Sequence, residues 1–481
     1  MLSDIEELYR RGIRLTPDAY KYIENNELGG EIIEKIVKLG TPIIDLETVE
    51  RLVSLKEKIP INVVVERATD FKPKAKEYDF DIRLVSKSDV SGKSSCTGKL
   101  EDFVAYFRNR FERISNILKR RTSPYPLVTT KDLKNRIETK VRLIGMVTDK
   151  RTTKKGNMLF DVEDEEGIAK VVISKETDAF KTAQRMLLDD IVAFDGRSTG
   201  ELFICEAITW PDLRFAREQK TTEKDIAIAY LSDLHFGSKK FIEKGFARFI
   251  NWLNGAEDKK ELAGKVKYVI ICGDVVDGIG IYPEQEKELA VKDIYQQYSL
   301  VDKAIEKIPD YIKVVVAPGN HDAVRRAEPQ PMIPYDMLKT EVLRTGNPAV
   351  VEIEGLRHLI YHGTSLDSVI GSLTGLSYAK PEEAMMELVK RRHLSPIYGD
   401  NLIVPEGTDY LVIEDEPDVV HMGHVHKNGY MIYRGAILIN SGTFQDRTEF
   451  QIKLGHMPTP CIVPVLETKT GKLNHIDFLS S

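Results

Sequence analysis

The sequence predicts a multidomain protein with a small helical module at the N-terminus, an all-β unit in the middle and an α/β layered unit over the C-terminal half. Three observations predict it. Apolar residues recur at helical spacing up to about residue 56. Short alternating and apolar runs separated by turn residues fill about 135 to 212. From Asp225 onward, short apolar runs each end at a carboxylate, amide or histidine, with helical stretches between them. A chain of 481 residues is too long for one ordinary core, so two to four domains are expected.

The N-terminal module is expected over 1–60. Ile5, Leu8, Tyr9 and Ile13 form one stripe, and Ile32, Ile33, Ile36, Val37 and Leu39 another. Gly29-Gly30 and Thr41-Pro42 punctuate them. Such a module is either a solvated appendage or a docking unit for another chain. Residues 61–134 read as linker followed by a basic amphipathic helix. The stretch from about 70 to 102 is polar and short of core residues, as a mobile arm would be. The helix, from about Glu101 to Arg121, carries Phe103, Tyr106, Phe107, Phe111, Ile114 and Ile117 on one side. Arg108, Arg110, Arg113, Lys119, Arg120 and Arg121 load the rest. It either follows a nucleic-acid backbone or packs its stripe and solvates its charges.

Residues 135–215 contain five strand-like runs: 141–147, 158–162, 167–173, 190–195 and 201–206. A helical segment, about Thr177 to Leu187, follows the third. Five strands with a helix after the third is the OB-fold pattern. Its aromatics are few, and Phe160, Phe194 and Phe203 look inward-facing, so a structural or subunit-contact barrel is at least as well supported as one that stacks bases.

Residues 222–481 form the α/β unit. Apolar runs at 226–231, 266–272, 312–317, 356–361 and 419–422 lead into five polar blocks. The blocks are Asp233-Leu-His235, Gly273-Asp274-Val-Val-Asp277, Gly319-Asn320-His321-Asp322, Tyr361-His362-Gly363 and Gly423-His424-Val-His426. Half of the 10 histidines fall in these blocks, so the clustering is not that of scattered structural histidines. Any one block alone has a bland reading as a helix cap or turn. All five in order do not.

Divalent metals that activate water take a few neutral imidazoles plus carboxylate oxygens, and two such metals need a ligand that bridges them. Asp274, just after a buried strand, is the natural bridge. Asp233, His235 and His426 complete one site; Asn320, His362 and His424 complete the other. His321, next to a ligand, is expected beside the metals as general acid or phosphate stabiliser, with Asp277 holding its imidazole.

Composition narrows the class further. An apolar content of 42% with 30% charged residues is that of a globular protein. No apolar run approaches the roughly 20 residues that cross a bilayer, and the acidic N-terminus is wrong for a signal peptide, so no membrane partner is expected. A net charge of -6 argues against coating nucleic acid with the whole surface, though not against a local basic channel. The 4 cysteines form no CxxC and suggest no disulfide framework, which fits the cytoplasm.

The order D-x-H, GDxxD, GNH-D, H, GHxH resembles the calcineurin-like metallophosphoesterase superfamily over about 220 residues. Longer stretches resemble the small subunits of archaeal D-family DNA polymerases. These are Cys272 to Glu286, Pro318 to Pro331, Arg391-Arg-His-Leu-Ser-Pro-Ile-Tyr398 and Asn440-Ser-Gly-Thr-Phe-Gln445. The resemblance implies a four-layer α-β-β-α sandwich behind an OB-fold. It also implies a 3′→5′ exonuclease that serves proofreading in DNA replication, as a heterodimer with a large polymerase subunit. Its implied cofactors are two divalent ions, manganese first, with magnesium, iron or zinc as alternatives. Its implied partners are the large catalytic subunit and DNA, as single strands or primer 3′ ends, with a sliding clamp as a further candidate. The segment from about 365 to 400 is expected to cap the site, and its Lys390, Arg391 and Arg392 either steer a phosphate backbone or form a solvated helix end. The alternatives are a non-catalytic, polymerase-stabilising scaffold and a phosphatase or phosphodiesterase of the same fold.

Overall fold

The computed structural model describes residues 5, 8–25, 36–37, 39, 41–54, 65–448, 451–452 and 456–479. The chain divides into two compact units, 1–62 and 63–481.

In the first unit, Thr16 and Asp45 each offer a side-chain oxygen to a backbone N–H at the start of a helix. They precede helices Pro17–Asn25 and Leu46–Ser54, and Pro17 gives up an N–H that the first turn could not pair. Strands Arg14–Leu15 and Ile43–Ile44 pair in parallel. Leu8, Ile13, Ala19, Ile23, Ile36, Ile44 and Val49 make its core. Gly29, Gly30, Ile32 and Ile33, read above as parts of a helical stretch and its punctuation, lie outside the described residues.

The second unit holds two six-stranded sheets and a barrel. The first sheet runs Leu343–Arg344, Lys313–Ala317, Val266–Cys272, Ala227–Leu231, Ile462–Glu467, Lys472–Asp477. Its first four strands are parallel. The second runs Gly429–Tyr433, Ala436–Asn440, Val419–Met422, Leu356–Ile360, Ala349–Ile353, Ile82–Leu84. The central strands are apolar on both faces, as strands covered on both sides must be. Ile228, Tyr230, Ile270 and Val315 of the first sheet meet Val351, Ile360, Val419 and Ile439 of the second in one core. On the outer face of the second sheet, Tyr361, Met422 and Leu438 pack with Leu366, Val369, Met385 and Leu388, which come from helices Leu366–Ser372 and Pro381–Arg391. Sheets packed this way leave the ends of their parallel strands as the natural place for a site.

The barrel consists of strands Thr139–Thr152, Met158–Asp164, Gly167–Ile173, Ile191–Ser198 and Leu202–Thr209. The fourth pairs with both the first and the fifth, closing the sheet. Helix Ala179–Gln184 follows the third strand. Phe160, Phe194 and Phe203 are buried inside.

Two expectations change. The stretch from 70 to 102 is not a mobile arm. Its Ile82–Leu84 pairs antiparallel with Ala349–Ile353. Beyond it, Ser88, Asp89 and Ser91 accept backbone N–H groups of Val350, Gly346 and Met332. Glu406 takes the N–H groups of Ser95 and Cys96. This order comes from polar side chains meeting backbone, so a shortage of apolar residues does not prevent it. The basic helix, Leu100–Lys119, packs its apolar stripe but does not solvate all of its charges: Arg108, Lys119 and Arg120 stay exposed, whereas Arg110 does not. Arg110 is buried and pairs with Asp409 at 2.8 Å. Arg113 donates to the Asp409 carbonyl. Ile114 and Leu118 pack with Ile144 and Ile191 of the barrel and with Val412. Among the described residues, no helix is long and apolar enough to cross a membrane.

Candidate metal centre

The predicted ligands follow the ends of five strands. The ladder continues past those ends: the N–H groups of Asp233 and His235 donate to the carbonyls of Gly273 and Asp274, and Gly423 N–H donates to the His362 carbonyl. Five of the seven predicted ligands, Asp233, His235, Asp274, His424 and His426, have φ between 51° and 69°. Left-handed backbone at non-glycine residues is costly and gathers where function over-determines the geometry. Two glycines permit the close approach. A Cβ on Gly273 would lie 2.3 Å from Nδ1 of His362, and one on Gly319 would lie 2.2 Å from Oδ1 of Asp274.

The side chains converge. Asp274 accepts the His321 backbone N–H with Oδ1. Its Oδ2 faces His362 Nε2 at 3.2 Å and His235 Nε2 at 4.0 Å. Asp233 Oδ1 faces His426 Nε2 at 3.3 Å and His235 Nε2 at 3.9 Å, and the two imidazole Nε2 atoms are 3.0 Å apart. Asn320 Oδ1 lies 3.1 Å from His362 Nε2. The His424 ring sits 5.3 Å from that of His362, outside the tightest groups of converging ligand atoms. Those groups are Asp233, His235, His426; His235, Asp274, His321; and Asp233, Asp274, His362.

A cation fits this arrangement. Asp233 Oδ1 is buried with no hydrogen-bond partner, a state that costs free energy unless charge arrives to meet it. Burial pushes the Asp274 carboxyl up, yet His362, His321 and His235 together hold it well below the usual range. Burial pulls His362 down, yet Asp274 and Asp233 lift it to about 10. These carboxylates demand positive charge. Burial lowers both His321 and His426.

Each ligand imidazole is oriented through its other nitrogen, as metal-binding histidines usually are. His235 Nδ1 meets Asp277 Oδ1 at 3.0 Å. His362 Nδ1 meets the Cys272 carbonyl at 3.0 Å. His426 Nδ1 meets the Gln451 amide at 2.8 Å. His424 Nε2 meets Asp367 Oδ2 at 3.0 Å. Gln285 and Gln445, both buried, donate to the Asp277 carboxylate from opposite sides.

A scan against family models matches residues 226–428 to the calcineurin-like phosphoesterases. The DNA polymerase II small subunit of Methanocaldococcus jannaschii is 42% identical over 83% of this chain and 69% of its own length. That of Archaeoglobus fulgidus is 39% identical over 95% and 93%. That of Methanothermobacter thermautotrophicus is 36% identical over 98% of both. The chain belongs to the archaeal DNA polymerase II small subunits. Its phosphoesterase domain is of a fold that implies divalent metals, and the His and Asp cluster is where such ions fit.

For this member of the small-subunit family, two expectations about the site need correction. The Asp277 carboxylate does not hold His321. It turns to His235, drawn by the two glutamine amides, and only the Asp277 backbone carbonyl takes His321 Nδ1, at 2.7 Å. Lys390, Arg391 and Arg392 do not form a phosphate-steering face. Arg391 is buried with Nε 2.9 Å from Asp190, too oblique for a hydrogen bond but close enough for an ion pair, and it also pairs with Glu387. Arg392 is buried against Glu416 and the Ile413 carbonyl. Lys390 lies 4.8 Å over the Trp210 ring. Arg391 ties the phosphoesterase domain to the barrel, Lys390 covers Trp210 just past the barrel's last strand, and Arg392 pairs within its own domain. Asp367 and Gln451 carried no signal that sequence reading could use, whereas Gln445 sits in the Asn440 to Gln445 stretch that the resemblance had singled out.

Proposed function

We propose that this chain is the proofreading subunit of a heteromeric replicative polymerase, a two-metal 3′→5′ exonuclease on DNA that also serves as scaffold for a large catalytic subunit. The observation that carries the reading is a pair of buried carboxylates, Asp233 and Asp274, whose only side-chain partners in the described contacts are imidazole nitrogens. A pure scaffold has no use for that cost. We assign Asp233, His235 and His426 to one ion, Asn320, His362 and His424 to the other, and Asp274 to both, with manganese as the working ion. When bound, the ions supply an activated water and neutralise charge building on the phosphate.

The chain's own residues do the rest. His321, with Nδ1 on the Asp277 carbonyl, presents Nε2 on the side of Asp274 Oδ2, 3.9 Å away. The Asp277 carbonyl keeps the one proton of neutral His321 on Nδ1, so Nε2 first takes up a proton and, as the imidazolium, gives it to the departing 3′ oxygen. Asp322 is turned away, onto the N–H of Gly319 and the Tyr298 hydroxyl, and pins the loop that carries His321. We read the closed barrel as an OB-fold in a structural role, because its aromatics face inward, and residues 1–60 as a separable module.

The test is a 5′-labelled single strand offered to the purified chain with manganese. Stepwise shortening from the 3′ end is expected. His321→Ala should slow it by roughly 10²–10⁴-fold with the fold and ion content kept, and deletion of residues 1–60 should leave it intact. Unchanged cleavage by His321→Ala removes that residue from the mechanism. A folded, metal-loaded chain that stays inactive even with its large subunit is the scaffold alternative. A chain that cleaves only small phosphate esters is the third reading.

A further inference from the structure

Of the four candidate ligand imidazoles, two are oriented by buried groups, Asp277 and the Cys272 carbonyl, and a third by the Gln451 amide, in each case through Nδ1. His424 differs. Its Nε2 is taken by Asp367, at the start of helix Leu366–Ser372, in the segment that follows His362. Leu366 and Val369 anchor that helix in the apolar core, and the Tyr378 hydroxyl lies against the same carboxylate. The His424 backbone is itself fixed, with φ 69° and its N–H on Asp233 Oδ2 at 2.9 Å.

A neutral imidazole carries one proton, and whichever nitrogen meets a carboxylate keeps it. We propose that Asp367 is a positioning residue for the ion beside Asn320 and His362: by holding the proton of His424 on Nε2, it leaves Nδ1 as the nitrogen offered to that ion. The ion held by Asp233, His235 and His426 has no such dependence, since Asp367 touches none of those residues in any described contact.

This inference rests on the two-ion reading of the site and not on what is hydrolysed. Its test therefore contains no DNA. The full chain, stripped of metal, is titrated with manganese chloride by calorimetry, and ion occupancy is followed by electron paramagnetic resonance. Wild type should take two ions. Asp367→Leu should keep one at its original affinity and bind the other about 10–100-fold more weakly. Asp367→Asn, which retains an acceptor oxygen, should fall between. Two ions bound by Asp367→Leu as in wild type would overturn the proposal, as would equal weakening of both or fewer than two ions on wild type. If wild type binds two ions and Asp367→Leu shows the expected split, but wild type leaves DNA uncut, the exonuclease reading fails and this one stands.

Discussion

Buried charge occurs in two places in this molecule, and it behaves in opposite ways. In and around the seam where the phosphoesterase domain meets the barrel and the helix before it, buried guanidinium groups lie within ion-pair distance of carboxylates. Arg110 and His393 share Asp409 at 2.8 and 2.9 Å, Arg391 and Arg185 share Glu387, and Arg392 has Glu416. At the metal centre the account does not close. In the described contacts no guanidinium or ammonium reaches Asp233 or Asp274, whose only side-chain partners are imidazoles, and two imidazole nitrogens meet each other at 3.0 Å. Charge that closes on itself is mortar. Charge that leaves a remainder is a site waiting for an ion. Type and burial alone do not separate the two; pairing does.

The sharpest way to break this contrast is Asp274→Ala. It should abolish both hydrolysis and ion binding, read as lost shortening of a labelled strand and lost manganese uptake. Uptake of two ions by this variant would remove Asp274 from the centre. Arg110→Leu should do the reverse. Leaving Asp409 buried without its guanidinium costs about 3–5 kcal/mol in denaturant unfolding, with cleavage per folded molecule unchanged.

Acid should separate the regions next. Burial, reinforced by Arg110, holds His393 down to about 4. A histidine in the unfolded chain titrates near 6.5, so the unfolded state takes up its proton first. The contribution is full above about pH 6.5 and drains as pH falls towards 4, by roughly 2 kcal/mol at pH 5. Asp190, raised by burial to about 6, works in the opposite sense. The His393 share is therefore the difference between wild type and His393→Asn in urea melts at pH 7 and 5, with chelator present. No difference would take His393 out of the account. The smallest effect belongs to Lys390→Ala, which should cost no more than about 1 kcal/mol for its place over Trp210. It should leave the KM for DNA unmoved, and a raised KM would return this run to the substrate.

Much of the molecule was legible because its signals are local. A ligand two residues past an apolar run, such as Asp274 after Cys272 or His362 after Ile360, is written in one short stretch of chain. So are the alternating strands of the barrel. What failed was non-local. A basic run such as Lys390 to Arg392 reads the same whether or not Asp190 and Glu416 come to meet it. The spacing of Asp277 fits a partner at His321 or at His235, and the choice falls to Gln285 and Gln445 from two other segments. The stretch from 70 to 102 looked unfolded because its order is carried by backbone and hydroxyl groups, which hydropathy does not register.

The strand Ile82–Leu84 has a consequence for how the chain can be made and cut. It is laid down before the barrel, yet the edge it covers, Ala349–Ile353, is translated long after. The phosphoesterase domain is thus sewn from two separate lengths of polypeptide, with the barrel as an insertion between them. A fragment begun at the barrel's first strand would bare a row of unpaired amides along that edge and invite sticking to its neighbours. The clean place to shorten the gene lies upstream, before residue 65.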